Sequence, residues 1–198
     1  MLVNVEKLLE KSANLHTHLC PRQVLGVRMG LFGGQILDLP VPQKNKRMFV
    51  FMETDGCGAD GVSIATGCWI GKRTMRVVDF GKMAATFVDS LTEQAIRVIP
   101  LATARKRAWD YAPSASDRWS AQLSAYQQMP DEELFTYQYV TLAVSLRYIL
   151  SRHGYRVNCE ICGEEIMNER EIIREETVMC QFCAGSCYYS IKEQESKK

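Results

Sequence analysis

Two cysteine pairs carry the clearest chemistry in the chain: Cys159-Glu160-Ile161-Cys162-Gly163 and Cys180-Gln181-Phe182-Cys183, separated by seventeen residues. Two thiolates spaced by two residues can reach one tetrahedral ion from a single tight turn. A second pair at this distance completes the four-cysteine pattern of a structural zinc site. Gly163 supplies the permissive backbone that such a turn needs. Rubredoxin-like iron is the main rival occupant, and unligated thiols are the bland alternative. Cys187, four residues after Cys183, reads as a partly buried thiol or a spare ligand.

A second concentration of chemistry lies near the N-terminus. His16-Thr17-His18-Leu19-Cys20-Pro21 holds two of the three histidines. In extended chain the two imidazoles project to one side, whereas in a helix they diverge by about 200°, so joint ligation predicts a non-helical segment. Thr54-Asp55-Gly56-Cys57-Gly58-Ala59-Asp60-Gly61 places a cysteine between a strand end and a helix start, where the dipole and free N–H groups stabilise a thiolate. Cys57 is therefore the first choice for a reactive or metal-bound thiolate. His18 is its expected imidazole partner, and Asp60 either orients an imidazole, accepts a proton or caps the helix. These three are the catalytic candidates. His16, His18, Cys20, Cys57 and Cys68 form the candidate core metal set, with Cys68 equally readable as a small buried cysteine.

The elements that must position these groups follow from periodicity. A short helix ends near Ala13, and a second runs from Arg22 to Ile36 with Pro21 in its first turn and Gly33-Gly34 weakening its end. Strands are expected at Met48–Glu53, Thr74–Asp79, Ala84–Asp89 and Ala95–Leu101, with a short helix from the Gly56–Gly61 stretch through Thr66. A broken helical pair surrounds Pro113. Pro130-Asp131-Glu132-Glu133 is expected to open one long helix through Ile149 that Gly154 stops. The order predicts an α+β core, helices on a mixed or antiparallel sheet, over residues 1–154, followed by a four-cysteine module over 155–198. Within that module, residues 165–167 and 172–178 suggest a hairpin and Cys180–Tyr189 a helix, the plan of a treble clef. The last residues, Gln194–Lys198, read as a polar end. So small a module buries too little apolar surface alone, which makes a bound metal its folding energy.

The 198 residues are 46% hydrophobic and 24% charged, with 24 Lys+Arg against 23 Asp+Glu. That composition excludes disordered and fibrous classes, and a net charge of +1 supplies no global field for nucleic acid. No apolar run approaches a membrane span, and the first ten residues lack the features of a secretory signal, so a cytoplasmic protein is expected.

Taken together, His16, His18, Cys20 and Pro21, then Cys57 and Asp60, then Thr66, Gly67, Cys68, Gly71 and Lys72, then Asp79, Gly81 and Lys82 resemble the pattern of the FmdE family of formylmethanofuran dehydrogenase over about residues 14–90. Thr17 and Arg22 stand where that pattern has glycines, Trp69 where it commonly has threonine, and Phe80 where it has tyrosine. The resemblance implies an α+β core with a His/Cys metal or active site, a treble-clef zinc finger, a homodimer, and association with a molybdenum or tungsten oxidoreductase as partner. The expected function is a zinc-binding protein with a second core metal or a reactive thiol, acting as a metal- or thiol-dependent accessory enzyme in one-carbon or molybdopterin-linked metabolism. The alternative is a non-enzymatic adaptor whose finger docks on a partner or nucleic acid. A basic run of Arg97, Arg105, Lys106 and Arg107 with Trp109 and Tyr111 is the feature a nucleic-acid reading would use. No dinucleotide or phosphate-loop fingerprint is present.

Overall fold

A computed structural model of the chain describes residues 4–168 and 170–190. It forms two compact units, Met1–Leu142 and Ala143–Lys198. The first is a mixed α+β unit. Its helices are α1 (Val5–His16), α2 (Pro21–Ile36), α3 (Cys57–Thr66), α4 (Ala104–Tyr111), α5 (Arg118–Gln128) and α6 (Asp131–Leu134). Its strands β1 (Met48–Met52), β2 (Met75–Val77), β3 (Ala85–Asp89), β4 (Ala95–Pro100) and β5 (Phe135–Val140) make one sheet in the order β2-β1-β3-β4-β5. Only the β1–β2 pair is parallel, because α3 carries the chain back over the sheet between them.

The sheet register aligns Val50 with Phe87 and Phe87 with Ile96, so these fully buried side chains share one face. α2 lies on that face. A Cβ at Gly33 would sit 2.7 Å from the Phe87 ring, and Phe32 stacks on Phe135 with centroids 5.7 Å apart. The glycine pair expected to weaken α2 thus permits its close seating, and the helix continues intact to Ile36. α2 is buried nearly all round, as a central helix must be when other elements cover its remaining sides.

Two element expectations are corrected. α1 does not stop near Ala13. Asn4 caps it by accepting from the Lys7 N–H at 3.1 Å, and it runs to His16 before Thr17 turns the chain with φ of 62°. Likewise, no single long helix follows Pro130. After the four-residue α6, Phe135-Thr136-Tyr137-Gln138-Tyr139-Val140 pairs with β4 along its length. Aromatic and β-branched residues beside an open sheet edge outweigh the helix-start signal. The units accordingly divide between Leu142 and Ala143, twelve residues before the boundary expected at Gly154.

The second unit contains α7 (Leu146–Ser151) and four three-residue strands, β6 (Arg156–Asn158), β7 (Glu165–Met167), β8 (Ile172–Arg174) and β9 (Thr177–Met179). β6 pairs with β7 and β8 with β9, so β7 and β8 are not partners. The helix expected from Cys180 to Tyr189 is replaced by turns, closed by Ala184 N–H to Cys180 carbonyl and Ser186 N–H to Gln181 carbonyl bonds, with Gly185 at φ 94°. The expected polar end, Gln194–Lys198, lies outside the described residues. Among those described, no helix is long and apolar enough to cross a membrane.

Candidate functional site

In the second unit the β6–β7 turn presents Cys159 and Cys162, and the end of the β8–β9 hairpin delivers Cys180 and Cys183. One donor sulfur from each lies within 4.8 Å of the others. Cys162 and Cys180 are 3.9 Å apart. A tetrahedron with metal–sulfur bonds of zinc length has sulfur–sulfur edges of about 3.8 Å, so the donor set fits that ion. Gly163 takes φ of 78° and its N–H closes on the Cys159 carbonyl at 2.8 Å. The electrostatics point the same way. Backbone N–H groups of Cys162 and Cys180 draw the Cys159 thiol down to about 6, while burial and the three neighbouring sulfurs push Cys183 up to about 12. Four thiols this close cannot all ionise without a cation among them. Cys187 is exposed and outside the cluster, not the partly buried thiol expected.

The core site is built by the contact of α2 with α3. A Cβ on Gly26 would lie 2.2 Å from the Gly58 carbonyl oxygen, and one on Gly61 would lie 2.4 Å from the Gln23 carbonyl oxygen. Only glycine allows the two backbones to approach so closely. The approach brings the helix starts together, with Cys20 the N-cap of α2 and Cys57 the first residue of α3. Burial pushes the Cys57 thiol up, and the neighbouring Cys20 sulfur and Asp60 carboxylate act in the same direction, against its own backbone N–H. Cys57 therefore rests protonated rather than as the dipole-stabilised thiolate expected.

Gln23, absent from the sequence-derived candidates, holds Cys20 in place. Its side-chain oxygen accepts from the Cys20 N–H and its amide nitrogen donates to the Ser12 carbonyl of α1, both at 2.7 Å. The pattern Cys20-Pro21-Arg22-Gln23 matches a capping box with cysteine in place of serine, which was the available signal. Gln23→Leu leaves both partners buried and unsatisfied. We expect a loss of about 3 kcal/mol in urea unfolding from two such groups; an unchanged midpoint would show that the amide is dispensable.

Asp60 meets His16 and not His18: His16 Nε2 lies 2.7 Å from Asp60 Oδ2. The α1 C-terminus holds His16, whereas His18 is exposed on the link to α2, so the two imidazoles do not share an extended segment. The thiolate–imidazolium pairing of His18 with Cys57 is accordingly replaced by Cys20 beside Cys57. Cys68 is fully buried beyond the other end of α3, accepting from Gln43 Nε2 at 3.1 Å and donating to the Met48 carbonyl at 3.3 Å. A ten-residue helix of about 15 Å separates it from Cys57, which makes it a packing residue. Among the described residues, the finger cysteines are the one group of three or more His, Cys, Asp or Glu whose ligand atoms converge within 4.8 Å.

Beside the two helix starts opens a cleft of about 540 Å³ whose lining includes Arg22, Asp55, Gly58, Lys82, Arg97 and Arg105. Arg97 is held by Glu53 through two bonds, Nε to Oε1 at 2.5 Å and Nη2 to Oε2 at 2.7 Å. That hydrogen bonding keeps the Glu53 carboxyl below its ordinary 4.5, so its contribution to stability is complete above that value and lost as pH falls through the lower folded-state value. Glu53→Gln should cost about 3 kcal/mol at pH 7, the scale for breaking a buried pair. It should also flatten the acid limb of a stability-against-pH curve; a variant with the wild-type limb would place that limb elsewhere. Arg107 is likewise paired, with Glu133 at 2.7 Å. The basic run expected to serve nucleic acid is thus split between a strand and a helix and partly neutralised.

The chain has recognisable relatives. A family model described as FmdE, Molybdenum formylmethanofuran dehydrogenase operon, matches residues 15–136. A probable S-adenosyl-L-methionine-binding protein of Archaeoglobus fulgidus is 27% identical over 207 residues, covering 93% of this chain and 54% of the relative. The chain therefore spans about half the length of that curated relative. An FmdE-like protein of tungsten formylmethanofuran dehydrogenase from Syntrophus aciditrophicus, solved by crystallography, shares the fold with a TM-score of 0.56 at 21% identity, covering 95% of this chain and 96% of the other.

Proposed function

The chain belongs to the FmdE family, and on that footing we propose that it is a thiol-dependent accessory enzyme of one-carbon or molybdopterin-linked metabolism, with a structural zinc ion in its C-terminal unit. The working groups are Cys20 and Cys57, with the His16–Asp60 pair beside them. In this reading it acts as a homodimer alongside an oxidoreductase, the association that the family's description suggests. The observation that carries the reading is the glycine-lined contact of α2 and α3, a close approach that serves no evident purpose other than to bring two cysteine-bearing helix starts together.

Zinc is favoured in the finger because four cysteine sulfurs with a 3.9 Å edge match its preferred ligands and geometry. A metal in the core is less favoured, because His16 Nε2 and Asp60 Oδ2 are already engaged with each other. The ligand named for the Archaeoglobus relative carries two positive groups, and the cleft here is lined mainly by cations, so it is not part of the reading.

Dibromobimane tests the thiol pair, since it becomes fluorescent only when two neighbouring thiols displace both bromides. The zinc-loaded full chain should give a fluorescent adduct mapping to the Cys20 and Cys57 peptides, and Cys20→Ser and Cys57→Ser should each abolish it. Single-ended labelling of Cys57 in the wild type would contradict the pairing.

A further inference from the structure

The thiols and the His16–Asp60 pair leave the neighbouring cleft unexplained. We propose that it binds an organic anion, a carboxylate or phosphate carried on an apolar body, with the charged end held by Arg22, Lys82 and Arg105. The inference names the ligand class for the thiol site and rests on that reading only in placing the ligand beside Cys57; anion binding itself does not require it.

Three observations carry it. First, charge in the cleft is one-sided. Glu53 occupies Arg97 through both oxygens, which leaves Arg22, Lys82 and Arg105 facing the single lining carboxylate, Asp55. None of these three forms an ion pair among the described residues. Lys82 lies over the Phe80 ring, 5.9 Å from its centroid, and Arg105 meets the hydroxyl of Tyr126. Second, the remaining wall is apolar, with Leu25, Met83 and Ile99 on it, and the volume lies within the range of small-molecule sites. Third, the starts of both helices border it, through Arg22 on α2 and Gly58 on α3. The N–H groups of a first helical turn lack intrahelical partners and favour negative charge. Arg22 stands where the family pattern has glycine, so the charge is a property of this chain.

The test follows the Met83 methyl resonance in the zinc-loaded, methionine-methyl-labelled full chain, assigned with Met83→Leu. Phenyl phosphate and 3-phenylpropionate are the anionic probes, with benzyl alcohol and benzylamine as neutral and cationic counterparts. At least one anion should shift Met83 saturably and bind at least tenfold more tightly than benzyl alcohol, and the tighter of the two identifies the headgroup. R22Q/K82Q should weaken it at least tenfold with an unchanged melting temperature, whereas Lys106→Gln, outside the cleft, should not.

Equal affinity for the neutral or cationic probe, unaltered affinity in R22Q/K82Q, or no shift of Met83 would overturn the proposal. Repeating the titration in Cys57→Ser separates the two readings. Anion affinity should persist there, so loss of the bimane adduct with retained binding leaves this inference standing alone.

Discussion

Stripping the metal from the full chain, or replacing Cys180 by serine, should unfold residues 156–190 and leave residues 5–140 folded. The second unit has four strands of three residues each, and its buried apolar residues are few, chiefly Leu146, Cys159, Ile166 and Ala184. A core this small does not offset the conformational entropy of ordering the segment, about 1–2 kcal/mol per residue. A structural zinc ion contributes about 10–16 kcal/mol to folding in such modules, far more than any contact in the unit. Hydrogen exchange resolved by peptide should show protection across β6–β9 collapsing on chelation and returning with added zinc. Retained protection after complete metal removal would show that the hairpins fold unaided.

A comparable loss is expected at the contact of α2 with α3. Gly26→Val introduces a branched side chain where even a Cβ meets the Gly58 carbonyl oxygen at 2.2 Å and the Gly61 Cα at 3.1 Å. The obstacle is backbone, which cannot yield as a flexible side chain would, so the helices must separate. Overpacking costs about 1–3 kcal/mol when side chains can adjust, and this substitution should exceed the upper figure. Gly61→Val meets the Gln23 carbonyl oxygen and the Val27 nitrogen and should behave alike. Gly71→Ala, with open space around it, should be neutral. Urea unfolding followed by far-ultraviolet dichroism measures all three. A mild effect at Gly26 would mean that the helix starts are not held together by this contact.

The four finger cysteines were legible because ligand spacing is local: two Cys-x-x-Cys pairs state their geometry without the rest of the fold. The central strands were legible for a similar reason, since Met48–Met52, Ala85–Asp89 and Ala95–Pro100 are dense in strand-forming residues between turn signals. β5 was hidden because Pro130-Asp131-Glu132-Glu133 is a sound helix start, and only pairing with β4 reveals that the helix lasts four residues. The exchange of His18 for His16 as the partner of Asp60 depends on where α1 ends, set by a left-handed Thr17 that no composition rule requires. Cys68 appeared to belong with Cys57 because they are close in sequence, yet the intervening helix separates them. Gly26 and Gly61 read as helix-weakening residues until the partner helix is known, when they become the reason the site exists.

Zinc content per chain, determined by elemental analysis on full-length protein purified without a metal column, tests the central claim most directly. Wild type and C20S/C57S should each hold one zinc, and C159S/C162S none, which places the metal in the finger and leaves the core to its thiols. Two metals per wild-type chain, with one lost in C20S/C57S, would contradict this account and make the core a metal centre.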